Sequence, residues 1–166
     1  TNNFVSPVID LQRTSLTLID NIIDNQDSAA TSGFNVPLSF VSELNAQNGS
    51  TPARHITSIV KLAQSAVGLK VILSANRPKP ASFDVYFRVG NEGDNLEEID
   101  FTEIASDTNN PHDPVGKTFR DYEYLIGGIN GNIAAFTQFQ LKIVMSSTNS
   151  AQVPSFRDLR VIALSV

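Results

Sequence analysis

From residue 55 onward the chain alternates apolar and polar residues with period two in one segment after another. Ile56, Ser58, Val60 and Leu62 alternate with Thr57, Ile59 and Lys61; Leu69, Val71 and Leu73 alternate with Lys70, Ile72 and Ser74. Phe83, Val85, Phe87 and Val89 alternate in the same way with Asp84, Tyr86 and Arg88. A period of two sends neighbouring side chains to opposite faces, so the three segments predict three strands. Tyr122, Tyr124 and Ile126 predict a fourth. Phe139, Leu141, Ile143 and Met145, opposite Gln138, Gln140 and Lys142, predict a long fifth, and residues 156–166 a sixth. Turn-forming stretches separate them: "NRPKPAS", "GNEGDN", "NNPHDPVG", "GGINGN" and "SSTNSAQVP". Strands joined in this way predict an all-β fold, an antiparallel, jelly-roll-like β-sandwich, over residues 51–166.

The first 50 residues lack this regularity. Their apolar positions, 8, 9, 11, 16, 18, 19, 22 and 23, fit neither period cleanly, and "NQDSAATSGFN" and "NAQNGSTP" are loop-like. Residues 1–50 are expected to form an extended arm with one or two short strands. Its polar, glycine- and serine-bearing stretches bury too little apolar surface to offset backbone ordering, so its order is expected to come from another chain or domain.

The closing segment, "FRDLRVIALSV", is apolar on both faces. It is expected to be an interior strand with Leu159, Val161 and Ala163 on the core face, beside Phe139, Leu141 and Ile143 of the preceding strand. Ile162 and Leu164 then form a second face, covered by the arm or by a partner. Asp158 and Arg160 share a face, with Arg157 opposite. They are candidates for a charged contact with a neighbouring subunit, or for a cross-strand ion pair with Lys142 or Asp121.

Composition narrows the function classes. A chain of 166 residues suits one domain plus an arm, with a core large enough to need no disulfide or metal staple. It has no cysteine, which removes thiol chemistry and thiolate metal sites. The net charge of -5, with no Lys/Arg cluster, argues against a nucleic-acid partner. No apolar run approaches the roughly 20 residues of a membrane-spanning helix, and "TNNFVSPVID" lacks the features of a signal peptide; the chain reads as a piece of a longer protein.

Candidate chemistry is sparse. Glu92, Asp94, Glu97, Glu98, Asp100 and Glu103 could offer oxygen ligands to calcium, but their spacing is not that of an EF-hand loop, and a solvated surface loop is the expectation. His55 and His112 stand alone, with no HxH or HExxH spacing. "GGINGN" fails both phosphate-binding glycine patterns and reads as a hairpin connection. No GxSxG elbow is present, so neither catalysis nor a cofactor is expected. The best platform for a sugar is Tyr86 flanked by Asp84 and Arg88 on the presumed outer face of its strand, although a packing role for Tyr86 is the stronger expectation.

"SPVIDLQRTSLTLIDNIID", "ARHITSIVKL", "LKVILSANRPKPASFDVYFRV", "FRDYEYLIGG" and "FTQFQLKIVMSSTNSAQVPSFRDLRVIAL" together resemble the C-terminal region of virion structural proteins of contractile-tailed bacteriophages, the baseplate wedge-type proteins of cyanobacterial myophages in particular. The resemblance spans most of the chain. It implies a non-enzymatic subunit of a tail or baseplate, assembled in the host cytoplasm and located in the virion. Its partners would be other tail proteins, with copies of itself among them. The runner-up expectation is a receptor- or carbohydrate-binding domain of a tail fibre or spike, bound to a host surface glycan; a third is a non-catalytic accessory domain of a cell-wall hydrolase.

Overall fold

A computed structural model of the chain describes residues 8–10, 15–17, 41–47, 49, 51, 53–105, 118–127, 133–149 and 151–165. Its strands are β1 (Val8–Asp10), β2 (Ser15–Thr17), β3 (Arg54–Ile56), β4 (Val60–Ala66), β5 (Gly68–Asn76), β6 (Ala81–Gly90), β7 (Thr102–Ile104), β8 (Arg120–Gly127), β9 (Phe136–Ser147) and β10 (Ser155–Leu164). A single 3₁₀ turn at Leu96–Glu98 is the one helical element among the described residues, and no helix there is long and apolar enough to cross a membrane.

All pairings are antiparallel, and two sheets face each other. The small sheet has the order β10-β5-β8; the large one has the order β3-β9-β6-β7, with β4 also pairing β9. Between them lies the core. β5 contributes Leu69, Val71, Leu73 and Ala75, and β8 contributes Tyr122, Tyr124 and Ile126. From the large sheet come Phe83, Val85 and Phe87 of β6 and Phe139, Leu141, Ile143 and Met145 of β9. These are the odd or even sets that alternation assigns to one face, and burying them is the main force holding the sandwich. β1 and β2 pair only with each other.

The strand expected near residues 56–62 is in fact two, β3 and β4. The break falls at Thr57, whose hydroxyl accepts the Leu141 N–H at 3.1 Å while its own N–H donates to the Leu141 carbonyl at 3.0 Å. Side-chain capture of a ladder donor interrupts regular pairing. β7 lies within the acidic stretch that alternation left as loop; its Ile104 is buried and faces Val85 across the ladder.

The closing strand departs further from expectation. β10 is an edge strand, not an interior one, and pairs with β5, with Val161 opposite Val71 and Ile162 opposite Lys70. "SSTNSAQVP" therefore crosses from one sheet to the other instead of turning back in a hairpin. Phe139, Leu141 and Ile143 face β10 across the core, not alongside it. Leu159, Val161 and Ala163 do pack against the core, as the alternation implied.

A β-bulge explains the sequence of β10. The register shifts between Phe156 and Asp158. Without it, Phe156 would share a face with Asp158 and Arg160; with it, Phe156 turns inward and meets Phe83 edge-on, with ring centroids 5.1 Å apart.

Candidate functional site

The two sheets have outer faces of opposite character. On the small sheet the registers align residues in rows across the three strands. Asp121, Ser74 and Asp158 form one row; Glu123, Ile72 and Arg160 the next; Leu125, Lys70 and Ile162 a third; Gly127, Gly68 and Leu164 a fourth. Arg160 contacts Asp121 at 3.2 Å and Asp158 at 3.1 Å, and Lys70 contacts Glu123 at 2.9 Å. Of the two partners the sequence suggested for this face, Asp121 is the one Arg160 meets. Lys142 lies on the other sheet.

The third row carries two open apolar ends about the paired Lys70. Ile162 is 49% exposed and Leu125 63%, with Leu164 half-buried at the end of the face. Ile162 and Leu164 are therefore a second face, and Ile162 is half in solvent although β2 approaches β10. Beside Leu125 the surface opens into a cleft of about 390 Å³ lined by Lys70, Ala105, Glu123, Tyr124 and Leu125. Apolar side chains set beside ion pairs, on a sheet ending in an edge strand, suit docking of a protein surface.

The outer face of the large sheet is closed, and combines polar groups with a small apolar cluster of Tyr86, Phe101, Val144 and Ile56. Gln138, Gln140 and Lys142 of β9, expected toward solvent, are buried, as are Tyr86 and Arg88 of β6. Residues 41–47 lie across Lys142 and Arg88 as a strap, with Phe101 beneath, while Gln138 donates to the carbonyls of Asn91 and Asp94. The centre of the Phe101 ring stands 4.3 Å from the Arg88 guanidinium carbon and 4.4 Å from Lys142 Nζ, so one ring serves two cations. Tyr86 approaches the same Nζ at 5.0 Å.

Hydrogen bonds lock the strap down. Lys142 Nζ, wholly buried, donates to the Glu43 carbonyl and to Glu43 Oε2, the latter at 3.1 Å. Glu43 Oε1 accepts the Thr51 N–H at 2.8 Å, and the Leu44 carbonyl accepts the Phe101 N–H at 2.7 Å. Asp100 Oδ1 accepts the Ala46 N–H at 2.9 Å. Arg88 donates twice to Gln140 Oε1, at 2.8 and 2.6 Å, and to the carbonyls of Ala46 and Ile99 at 3.2 Å. Gly49, at φ +75°, is where the loop passes Glu43; a Cβ there would collide with the Glu43 carboxyl.

The electrostatics follow from this wiring. Burial alone would raise the Glu43 pKa, but hydrogen bonds from Thr51 and Lys142 outweigh it and hold the carboxyl below the ordinary glutamate range. Burial lowers the Lys142 pKa against the opposing pull of Glu43. Burial, with the nearby carboxylates of Asp84, Glu103 and Glu43, pushes the Tyr86 phenol up to about 12.

Tyr86, for which packing is the stronger expectation, is buried, and the weaker candidate sugar platform is covered. Tyr86 and Arg88 sit under the strap, and only Asp84 of the three is exposed. Nothing in the sequence near β6 marks this, because the covering segment lies some forty positions upstream. The expected arm boundary shifts for the same reason: residues 41–47, assigned to the arm, pack on the sandwich of their own chain.

In the acidic stretch the carboxylates serve local bonds. Asp94 accepts the Asn91 N–H at 2.6 Å, Asn95 caps the 3₁₀ turn, and Glu98 accepts from Asn95. Among the described residues, no three His, Cys, Asp or Glu side chains gather into a group that could hold a metal ion. His55 lies on β3, exposed and opposite Ile143. His112 and residues 128–132 of "GGINGN" lie outside the described residues. No protein-family model, curated protein or solved structure matches the chain.

Proposed function

We propose that the chain is a non-enzymatic structural subunit of a bacteriophage tail or baseplate, joined to neighbouring virion proteins through the outer face of its small sheet. The resemblance described above gives the setting. The observation that carries the reading is the open row Leu125–Lys70–Ile162, which ends on the edge strand β10.

Several features support it. The apolar groups of this row are bordered on one side by two rows that hold paired charges, and on the other by Gly127, Gly68 and Leu164. The buried polar residues of the other sheet are engaged in internal bonds, Lys142 and Arg88 with the strap, Gln140 with Arg88 and Thr57, and Gln138 with the carbonyls of Asn91 and Asp94, and no nucleophile, base and orienting group stand together among them. With Tyr86 and Arg88 covered, no specific observation favours the glycan-binding alternative.

The test is assembly itself. The double variant Leu125→Asp, Ile162→Asp, introduced into the phage and also purified alone, is expected to melt with the wild-type chain yet fail to enter tail particles. Normal incorporation of a correctly folded variant overturns the reading, as does substrate turnover by the isolated chain that one point substitution abolishes.

A further inference from the structure

We infer that the free edge of β10 is the docking site of the chain's own N-terminal hairpin: β2 adds to it as a further strand, so that the small sheet continues through β2 to β1.

The edges of the two sheets are not equivalent. On the large sheet β3 and β7 have three residues each, and the pairing of β4 with β9 shifts between Lys61 and Ala66. On the small sheet β8 lies beside β7. Short strands, irregular pairing and a covering neighbour each keep an edge from accepting another strand. β10 lacks these beyond its bulge. It is ten residues long and pairs with β5 on one side; from Leu159 to Leu164 the register is unbroken, and that stretch, "LRVIAL", holds no Pro, Gly or Lys. Its other side offers backbone donors and acceptors in position for a ladder.

The core is also open at this edge. Leu69, Val71 and Leu73 of β5 are buried, whereas Leu159, Val161 and Ala163 of β10, which pack against the same core, are only partly so. A strand beyond β10 would cover them. The sequence around β2, "TSLTL", has Leu16 and Leu18 at alternate positions with Thr17 between. That pattern sets apolar residues beside Val161 and Ala163 and a polar one on the side of Ile162.

β2 is the strand at hand. It approaches β10 within the chain, while its pairing among the described strands is with β1 alone, Val8 opposite Thr17 and Asp10 opposite Ser15. Two edges without a ladder partner among the described strands thus lie near each other. A two-stranded hairpin is marginal by itself in water and gains by joining a sheet. Because β2 belongs to the same molecule, the joining has an effective concentration on the order of millimolar, which a second copy does not match in dilute solution. The site is the edge of β10, not the outer face that carries Leu125 and Ile162, so it stands or falls apart from the docking of that face.

Amide hydrogen exchange resolved by NMR on the whole chain tests the pairing. In a strand paired on one side the N–H groups point alternately to the partner and to solvent, so with β5 alone every second amide from Arg160 to Ala163 exchanges freely. With β2 docked, all of them are expected to be protected. Leu16→Pro, which breaks strand pairing at β2 and lies outside the sandwich, is expected to lower the protection of every second one about tenfold or more and to leave that of β5 unchanged. Free exchange of alternate amides in the unaltered chain overturns the proposal, as does full protection of all of them in Leu16→Pro.

The chain has no cysteine, so introduced thiols identify the occupant. Directly opposite residues on neighbouring strands come within disulfide reach. Leu16→Cys is expected to link to Val161→Cys or Ala163→Cys and not to Ile162→Cys, and Thr17→Cys to Arg160→Cys or Ile162→Cys, within one chain and with a yield that holds on dilution. Linkage indifferent to parity overturns the proposal. So do linked dimers whose yield falls on dilution, which would assign the edge to a second copy. Should a cysteine variant fail to fold, the exchange pattern of the unaltered chain decides.

Discussion

The outer faces of the two sheets reverse what their polarity suggests. On β9 the outward residues are Gln138, Gln140 and Lys142, and they are buried; on β10 they include Ile162, and it is half in solvent. The difference lies in what crosses each face. A lysine can be buried when a carboxylate and carbonyls arrive to meet it, and an isoleucine can stay half in solvent when little covers it. Residue polarity states what a side chain needs, while the path of the rest of the chain decides whether it is met from water or from protein.

Substitutions can break this contrast at several strengths. The largest effect is expected from Phe101→Ala, which removes the ring shared by Arg88 and Lys142 and opens a hole under the strap; a loss of about 3–5 kcal/mol in urea unfolding is expected. Next comes alkaline titration. With the Tyr86 phenol pushed up to about 12, the unfolded chain releases that proton first, so stability falls as pH rises from about 10 towards that value, by up to ~3 kcal/mol. Tyr86→Phe should flatten the fall. Lys142, whose pKa burial lowers, contributes a slope of the opposite sign, ending once pH passes the ordinary lysine value.

On the small sheet the effects should be slight. Asp121→Ala, which breaks the exposed contact to Arg160, is expected to cost about 1 kcal/mol or less, and the loss should shrink in high salt. Ile162→Asp alone should change stability by about 0.5 kcal/mol or less. A large loss from Ile162→Asp would mean that the open face is covered within its own chain and would remove the contrast.

How much of this could be read beforehand depends on whether the determining partner is local. β5, β6, β8 and β9 were legible because alternation is set by the strand itself, and Leu69 to Leu73 or Phe139 to Met145 announce their inward face directly. The inward set of β10 was legible for the same reason, but its neighbour was not: Val161 is as compatible with Leu141 as with Val71, and only the crossing of the 147–154 connection decides. Phe156 misled because a bulge, which changes the parity, has no mark in its composition. The strap was illegible from β9, since polar residues at every second position are also what a solvent-facing strand shows. Its weak signals were Glu43, an acid within an otherwise polar and apolar stretch, and Gly49 six positions later. One and the same rule put Ile162 and Leu164 on one outer face and Tyr86 with Arg88 on the other, and it could not say that the second is covered.

The pairing of β10 with β5 sets a timetable during synthesis. β5 emerges from the ribosome before most of the sandwich, and β10 emerges after every other described strand. Until then β5 can pair with β8 on one side only, leaving its other edge, with Leu69, Val71 and Leu73 behind it, open to any strand that comes near. Long-range pairing of this kind is slow to form and exposed to misassociation while it waits. In a nascent chain surrounded by copies of itself, the β10 of an already finished neighbour carries the same residues as the one still to come, and could reach that edge first.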